Sequence, residues 1–249
     1  MHDPAPHREV GGSMRTGAGI RIAVIDSGVQ SSHPHIDATR LCRGVGVLPD
    51  GGVESGSGST VDQLGHGTAV MAAIQEKAPD ALCVPIRVFR TALRTSAAAL
   101  VSAIRWAVSE DVDLINLSLG SLNPAHEAVL ALAVREAREG GVTVISAAEA
   151  GGCACYPGAL PSVIGVTLDW DIPRSRYQAM QAEEKLTVAA SGYPRPIPGV
   201  PSRRNLHGVS FAVAQVTGFA ALIAEGSSVS RDFCALRKGF MAGAAISGN

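Results

Sequence analysis

The chain has 249 residues, 46% hydrophobic and 17% charged, and its 21 Lys and Arg nearly balance its 22 Asp and Glu for a formal charge of −1. That apolar content excludes a disordered chain, and the even charge gives no global pull toward nucleic acid or an anionic membrane. With only 4% aromatic residues, the core has to be built from small aliphatic side chains, which suits a parallel sheet covered by closely apposed helices.

Residues 1–19 mix charge, Pro and Gly with no apolar segment, and they read as a flexible N-terminal stretch rather than a secretory signal. Residues 20–249 read as one domain of generous size. No apolar run approaches the ~20 residues that span a bilayer. Five cysteines are an odd number in a chain large enough to need no covalent staples. They fit a reduced, cytoplasmic protein.

Residues 20–25 (IRIAVI) form an apolar run that stops at Asp26-Ser27-Gly28, a buried strand entering a tight turn. Residues 49–62 are rich in Gly and Ser and read as an exposed loop. Over 65–78 the apolar residues Val70, Ile74 and Ala78 recur at helical spacing, and Pro79 ends the helix. A strand is predicted over 82–89. Thr95 or Ser96 then caps a helix running through Trp106 to Val108, because either hydroxyl can accept from free N–H groups of the first turn. Residues 112–117 are the next strand. Asn123-Pro124 opens a helix that stops at Gly140-Gly141, with Pro where its missing N–H costs nothing. Strands follow over 142–148 and 162–167, and helical spacing returns from Val209 through Phe219, Leu222 and Ile223. Residues 171–207 carry much Pro, Arg and Gly and are assigned no element. The alternation implies an α/β fold of three layers, a mostly parallel sheet with helices on both faces.

In such a sheet, reactive groups gather at the carboxyl ends of the strands. Asp26 sits at one such end, although an aspartate there also serves as a plain turn former. His66 lies between two glycines in GHGTAV at a helix start, where missing side chains let the imidazole and backbone approach another group. Ser210 lies at a second helix start, in GVSFAVAQVTG. A serine there is commonly a cap, but the helix dipole and free N–H groups also stabilise an oxyanion formed beside it.

Taken in this order the three blocks resemble the subtilisin-like serine proteases. IAVIDSGVQSSHPHI matches the family's Asp block, GHGTAV its His block and GVSFAVAQVTGFAALI its Ser block. VDLINLSLGS resembles the substrate-lining segment, and YPGALPSVIGV the strand after the oxyanion loop. The resemblance implies a catalytic triad in which Ser210 attacks, His66 takes and returns its proton, and Asp26 holds the other ring nitrogen. It also implies that Ser118, Leu119 and Gly120 pair with an extended peptide, and that Ala147, Ala148 and the backbone near Glu149 wall the pocket for the residue before the scissile bond.

The pattern breaks at the oxyanion loop. Where the family carries an Asn after its small-residue strand, this chain reads SAAEAGG, with Glu149 at the usual Gly and Ala150 at the usual Asn. Ala has no donor, and an ionised Glu repels developing negative charge; a Glu149 kept protonated by burial could donate. Losing that one donor costs on the order of 100- to 1000-fold in rate. Val209 stands where the family has Thr, and Ala214-Gln215 where it usually has a Pro and often a His. No acidic cluster for structural calcium is evident and no cofactor is implied. Cys153 and Cys155 could pair or share a metal, but no second Cys or His cluster accompanies them, so no metal site is assigned. Arg195, Arg203 and Arg204 read as a solvated basic loop, or as a grip on an acidic peptide.

Three readings follow. One is a cytoplasmic serine endopeptidase that processes a peptide or precursor substrate, with no nucleic-acid or membrane partner and with possible partner enzymes of a peptide-maturation pathway. Another is a catalytically weak or inactive homologue that binds extended peptides for a partner enzyme. A third is a peptide ligase or macrocyclase using the same triad.

Overall fold

The computed structural model describes residues 15–227 and 231–243. Residues 1–14, most of the stretch read as flexible, lie outside them. The strands are β1 (Arg21–Asp26), β2 (Val45–Val47), β3 (Val53–Glu54), β4 (Leu82–Arg87), β5 (Leu114–Leu117), β6 (Thr143–Ala147), β7 (Glu149–Ala150), β8 (Cys153–Ala154), β9 (Ile164–Leu168), β10 (Tyr177–Ala182) and β11 (Lys185–Ala190). The α-helices are α1 (His66–Lys77), α2 (Ala97–Ser109), α3 (Glu127–Glu139), α4 (Val209–Glu225) and α5 (Phe233–Ala242).

Nine strands form one sheet in the order β10-β11-β9-β6-β5-β1-β4-β2-β3. The run from β11 to β2 is parallel, and β10 and β3 join the two edges antiparallel. β1 shows how the layers arise. Its alternate side chains Ile22 and Val24 enter one core with residues of α1, α4 and α5. Ala23 and Ile25 enter the other with residues of α2 and α3. A strand buried on both faces reads as a continuous apolar run, as residues 20–25 do. The expected three-layer, mostly parallel α/β fold is the fold found.

α4 is buried along its length from Ser210 to Ala224, which its Ala, Val and Gly content allows by keeping the helix close to the sheet. Ser96 is the residue that caps α2, its Oγ accepting from Ala99 N at 2.9 Å. Asn123 caps a 3-10 turn over Pro124–His126, and α3 starts only after it. The loop predicted over 49–62 contains β3. Unassigned residues 171–207 contain the β10–β11 hairpin, which forms one edge of the sheet.

Candidate active site

Asp26 ends β1 at the carboxyl edge of the sheet, completely buried. His66 opens α1, whose N-cap Gly65 has φ 77°, a left-handed conformation that glycine adopts without strain. Next to it, a Cβ on Gly67 would collide with the Gly28 carbonyl oxygen. The glycines therefore let the start of α1 seat directly on the Asp26-Ser27-Gly28 turn. In that seat His66 Nδ1 and Asp26 Oδ1 are 2.7 Å apart. Asp26 Oδ1 also accepts from Ser27 N at 2.7 Å, while Oδ2 is buried with no hydrogen-bond partner.

Burial is the largest influence on His66 and works against its charged form. The Asp26 hydrogen bond, the Asp26 charge and the Asp62 charge together outweigh it and hold the imidazole above its usual 6.5. The ring lies against α4, with its centroid 5.8 Å from that of Phe211. Ser210, the residue before Phe211, is 5% exposed. Its hydroxyl donates to the Ser118 carbonyl at 3.4 Å and, among the described residues, makes no hydrogen bond to His66. The structure thus joins Asp26 to His66 directly and packs the imidazole on Phe211, next in sequence to Ser210, while the Ser210 hydroxyl turns to the Ser118 carbonyl. Ser210 N–H belongs to the first turn of α4, where donors lack intrahelical partners, and no side chain caps that end.

Ser118 follows β5 and is held from behind. Thr217 of α4 donates to Asn116 Oδ1 at 2.9 Å, and Asn116 Nδ2 donates to Ser118 Oγ at 2.8 Å. Leu119 and Gly120 are half-buried, and the next residue pairs with the 155–157 segment, Ser121 N to Tyr156 O at 2.7 Å and Tyr156 N to Ser121 O at 2.8 Å. Ala147 and Ala148 are buried at the end of β6, with Ala148 N bonded to Val166 O at 2.8 Å.

Beyond Ala148 the chain makes a small hairpin. Glu149 faces Ala154 and Ala150 faces Cys153, around Gly151 and Gly152 at φ 60° and 78°. Two successive positive φ angles define a turn that paired glycines favour. Glu149 is exposed rather than buried, and its carboxylate accepts no hydrogen bond among the described residues. All five cysteines are free thiols; Cys153 is exposed and Cys155 buried, so the two neither pair nor share one environment. Among the described residues no group of three or more His, Cys, Asp or Glu could hold a metal ion. No helix among them is long and apolar enough to cross a membrane.

One residue that sequence reasoning passed over organises the site. Asp62 Oδ1 accepts from Ser27 Oγ, Leu64 N and Gly65 N at 2.8, 2.9 and 2.9 Å, and Oδ2 accepts from Thr68 N and Thr68 Oγ1 at 2.9 and 2.6 Å. The carboxylate bolts the Asp26 turn to the start of α1. Burial raises the Asp62 carboxyl, but the bonds from Thr68, Leu64 and Ser27 prevail and hold it below its usual range. This contribution to stability is present above the unfolded carboxylate range and is lost as pH falls through the lowered native value. An acidic residue three to four positions ahead of a helix start was the available signal. Asp62→Ala leaves several buried donors without an acceptor, at a cost of about 2–4 kcal/mol. The expected fall in Tm is roughly 5–15 °C; an unchanged thermal melt would contradict the bracing role.

The sequence model of the Subtilase family matches residues 17–229. The chain belongs to the subtilase family. Subtilisin DY of Bacillus licheniformis is 30% identical over 226 residues, which cover 83% of this chain and 77% of that protein. Subtilisin Savinase of Lederbergia lenta is 29% identical over 220 residues, covering 84% and 77%. Against the alkaline protease of Alkalihalobacillus alcalophilus the identity is also 29%, and this chain spans 54% of that relative. Sphericase has the same fold with a TM-score of 0.68 at 25% identity, over 92% of this chain and 84% of its own. A lanthipeptide protease superposes with a TM-score of 0.68 at 20% identity, over 90% and 80%, a likeness of fold. Ala150, at the position where the resemblance to this family implies an Asn, lies in the β7–β8 hairpin.

Proposed function

We propose that this subtilase is a serine endopeptidase that hydrolyses an extended peptide with Asp26, His66 and Ser210. The observation that carries this reading is the buried 2.7 Å contact of His66 Nδ1 with Asp26 Oδ1, with the imidazole packed on Phe211, the residue after Ser210 at the first turn of α4. With the Nδ1 proton held by Asp26, His66 keeps Nε2 as the basic lone pair. The Ser210 hydroxyl leaves the Ser118 carbonyl, gives its proton to Nε2 and attacks the scissile carbonyl; catalytic hydrogen bonds are often loose in a free enzyme and tighten with substrate bound. His66, now imidazolium beside Asp26, returns the proton to the leaving amine. The Ser210 N–H supplies one oxyanion donor. Ser118, Leu119 and Gly120 hold the acyl half of the peptide as an added strand, with Ala147 and Ala148 at the pocket wall.

A specialised processing role follows from the same site. A lanthipeptide protease is among the fold neighbours, and a rate handicap at the oxyanion hole suits one well-positioned substrate better than general digestion. The free state of all five cysteines supports a reduced, cytoplasmic setting. A second reading, a weak enzyme that binds peptides for a partner, is favoured by the Glu149–Ala150 strand, which offers no side-chain donor. Incubation with a peptide library followed by mass spectrometry separates these. New termini that incorporate oxygen from labelled water are expected for wild type and absent for Ser210→Ala. Joined or cyclic peptides in their place would indicate acyl transfer to an amine, and unchanged peptides would favour the binding reading.

A further inference from the structure

A cavity of about 340 Å³ opens beside the start of α1, and Ser118, Leu119 and Gly120 take no part in its lining. Gly65 and Thr68 of the His66 segment line it, as do Asn205 and Leu206, a few residues ahead of Ser210. His33, His35 and Arg195 line it too, which sets one guanidinium beside two imidazoles. Arg195 Nη1 donates to the His35 carbonyl at 3.1 Å, and Asn205 Nδ2 donates to the Arg195 carbonyl at 3.4 Å, which fixes the arginine against the 33–35 turn. Backbone N–H of His35 donates to His33 Nδ1 at 3.1 Å, so the nitrogen of His33 that can donate is Nε2. The two rings meet edge to face at 5.2 Å. Burial first, then Arg195 and His33, push His35 below its usual value, with Glu76 acting the other way.

The two acids near the pocket are already engaged. Asp62 lines the same pocket, but both of its oxygens are filled by Ser27, Leu64, Gly65 and Thr68. Glu76 is engaged by Arg174. Among the described residues Arg195 has no ion pair, and neither do Arg203 and Arg204 on the turn just before Asn205. A half-buried guanidinium held in place without a carboxylate is prepared to bind one, since its planar fork matches two oxygens at once.

Position gives the occupant. If Ser118–Gly120 hold the acyl half and His66 protonates the leaving amine, the half beyond the scissile bond leaves Ser118–Gly120 past His66, toward the cavity that Gly65 and Thr68 line. We propose that this pocket takes a Glu or Asp side chain from the leaving-group half of the peptide, with Arg195 as its charge partner. The inference rests on the protease reading for which side of the bond is selected, but not for the existence of the acid site.

The test uses a randomised peptide library amidated at its C-termini, so that every carboxylate comes from a side chain. Cleavage products and retained peptides are both sequenced by mass spectrometry, for wild type and Arg195→Glu. Wild type is expected to enrich Asp and Glu in the first few positions after the cut, with the acid-to-neutral ratio falling roughly three- to ten-fold in Arg195→Glu, as a half-buried charge pair allows. Cleavage with no acid preference, or with the same preference in both proteins, overturns the pocket and leaves the protease standing. No cleavage, but retained peptides enriched in acid only on wild type, sinks the protease reading and keeps the pocket. Neither cleavage nor Arg195-dependent retention overturns both.

Discussion

Asp26→Asn is expected to lower kcat/KM for a peptide ester by about 10³- to 10⁴-fold and to move the acid limb of its pH profile downward. Asp26 Oδ1 already accepts both His66 Nδ1 and Ser27 N, and Oδ2 has no partner. An asparagine can therefore put its oxygen at the Oδ1 position and its NH₂ at the other, keeping both bonds while removing the charge. What is lost is stabilisation of the imidazolium that forms when Ser210 gives up its proton. The sign follows from the forces on His66. Only neutral His66 acts as base, so activity rises with pH through its pKa, which Asp26 leads in raising above 6.5. Without that charge, burial prevails and the limb shifts to lower pH. Rate profiles from pH 5 to 9 on protein shown to be folded by circular dichroism check this. A full loss of rate with an unmoved limb would mean that Asp26 acts other than through His66.

The second large effect is a gain. Ala150→Asn is expected to raise turnover up to ~100-fold, because one preorganised donor stabilises an oxyanion by about 2.7–4 kcal/mol and a graft on the hairpin will be imperfectly aimed. Ala150 pairs with Cys153 next to the Gly151-Gly152 turn, so the strand is ordered while its side chain contributes only a methyl. If the Ala150 hairpin borders the oxyanion, Glu149→Gln removes a charge near it, but Glu149 is exposed and solvent screens it. That change is therefore expected to stay within about ten-fold. The measurement is kcat/KM for wild type and both variants on one substrate. A fast wild type slowed by Ala150→Asn would show that another group fills the hole.

The sequence was most legible where one element's burial pattern is uniform. The IRIAVI run, the helix capped at Gly65 and the buried α4 each carry their environment in their composition. Two apolar faces on one strand cannot be mistaken for a half-exposed one. The segment 171–207 was opaque for the opposite reason. β10 is largely exposed, with Gln and Ala where β-branched residues would announce a strand, and its turn sits at Glu183 with φ 53°. Asp26, His66 and Ser210 were legible because each sits at a strand end or helix start within a recognisable block. Asp62 was not, because its role lies in five hydrogen bonds from residues up to 35 positions away, which only the folded turn brings together. The direction of the Ser210 hydroxyl toward Ser118 is likewise a matter of side-chain rotation that no sequence pattern carries.

The central claim is that Ser210 is a nucleophile activated by His66, and labelling by a fluorophosphonate tests it most directly. Such a reagent forms a stable bond to the serine oxygen only when a neighbouring base removes the proton. Intact-mass and peptide-mapping spectrometry of wild type, Ser210→Ala and His66→Ala would follow the adduct. One phosphonate on Ser210 of wild type is expected, with none on either variant. Wild type that stays unlabelled while folded, or labelling that persists in Ser210→Ala, would contradict it.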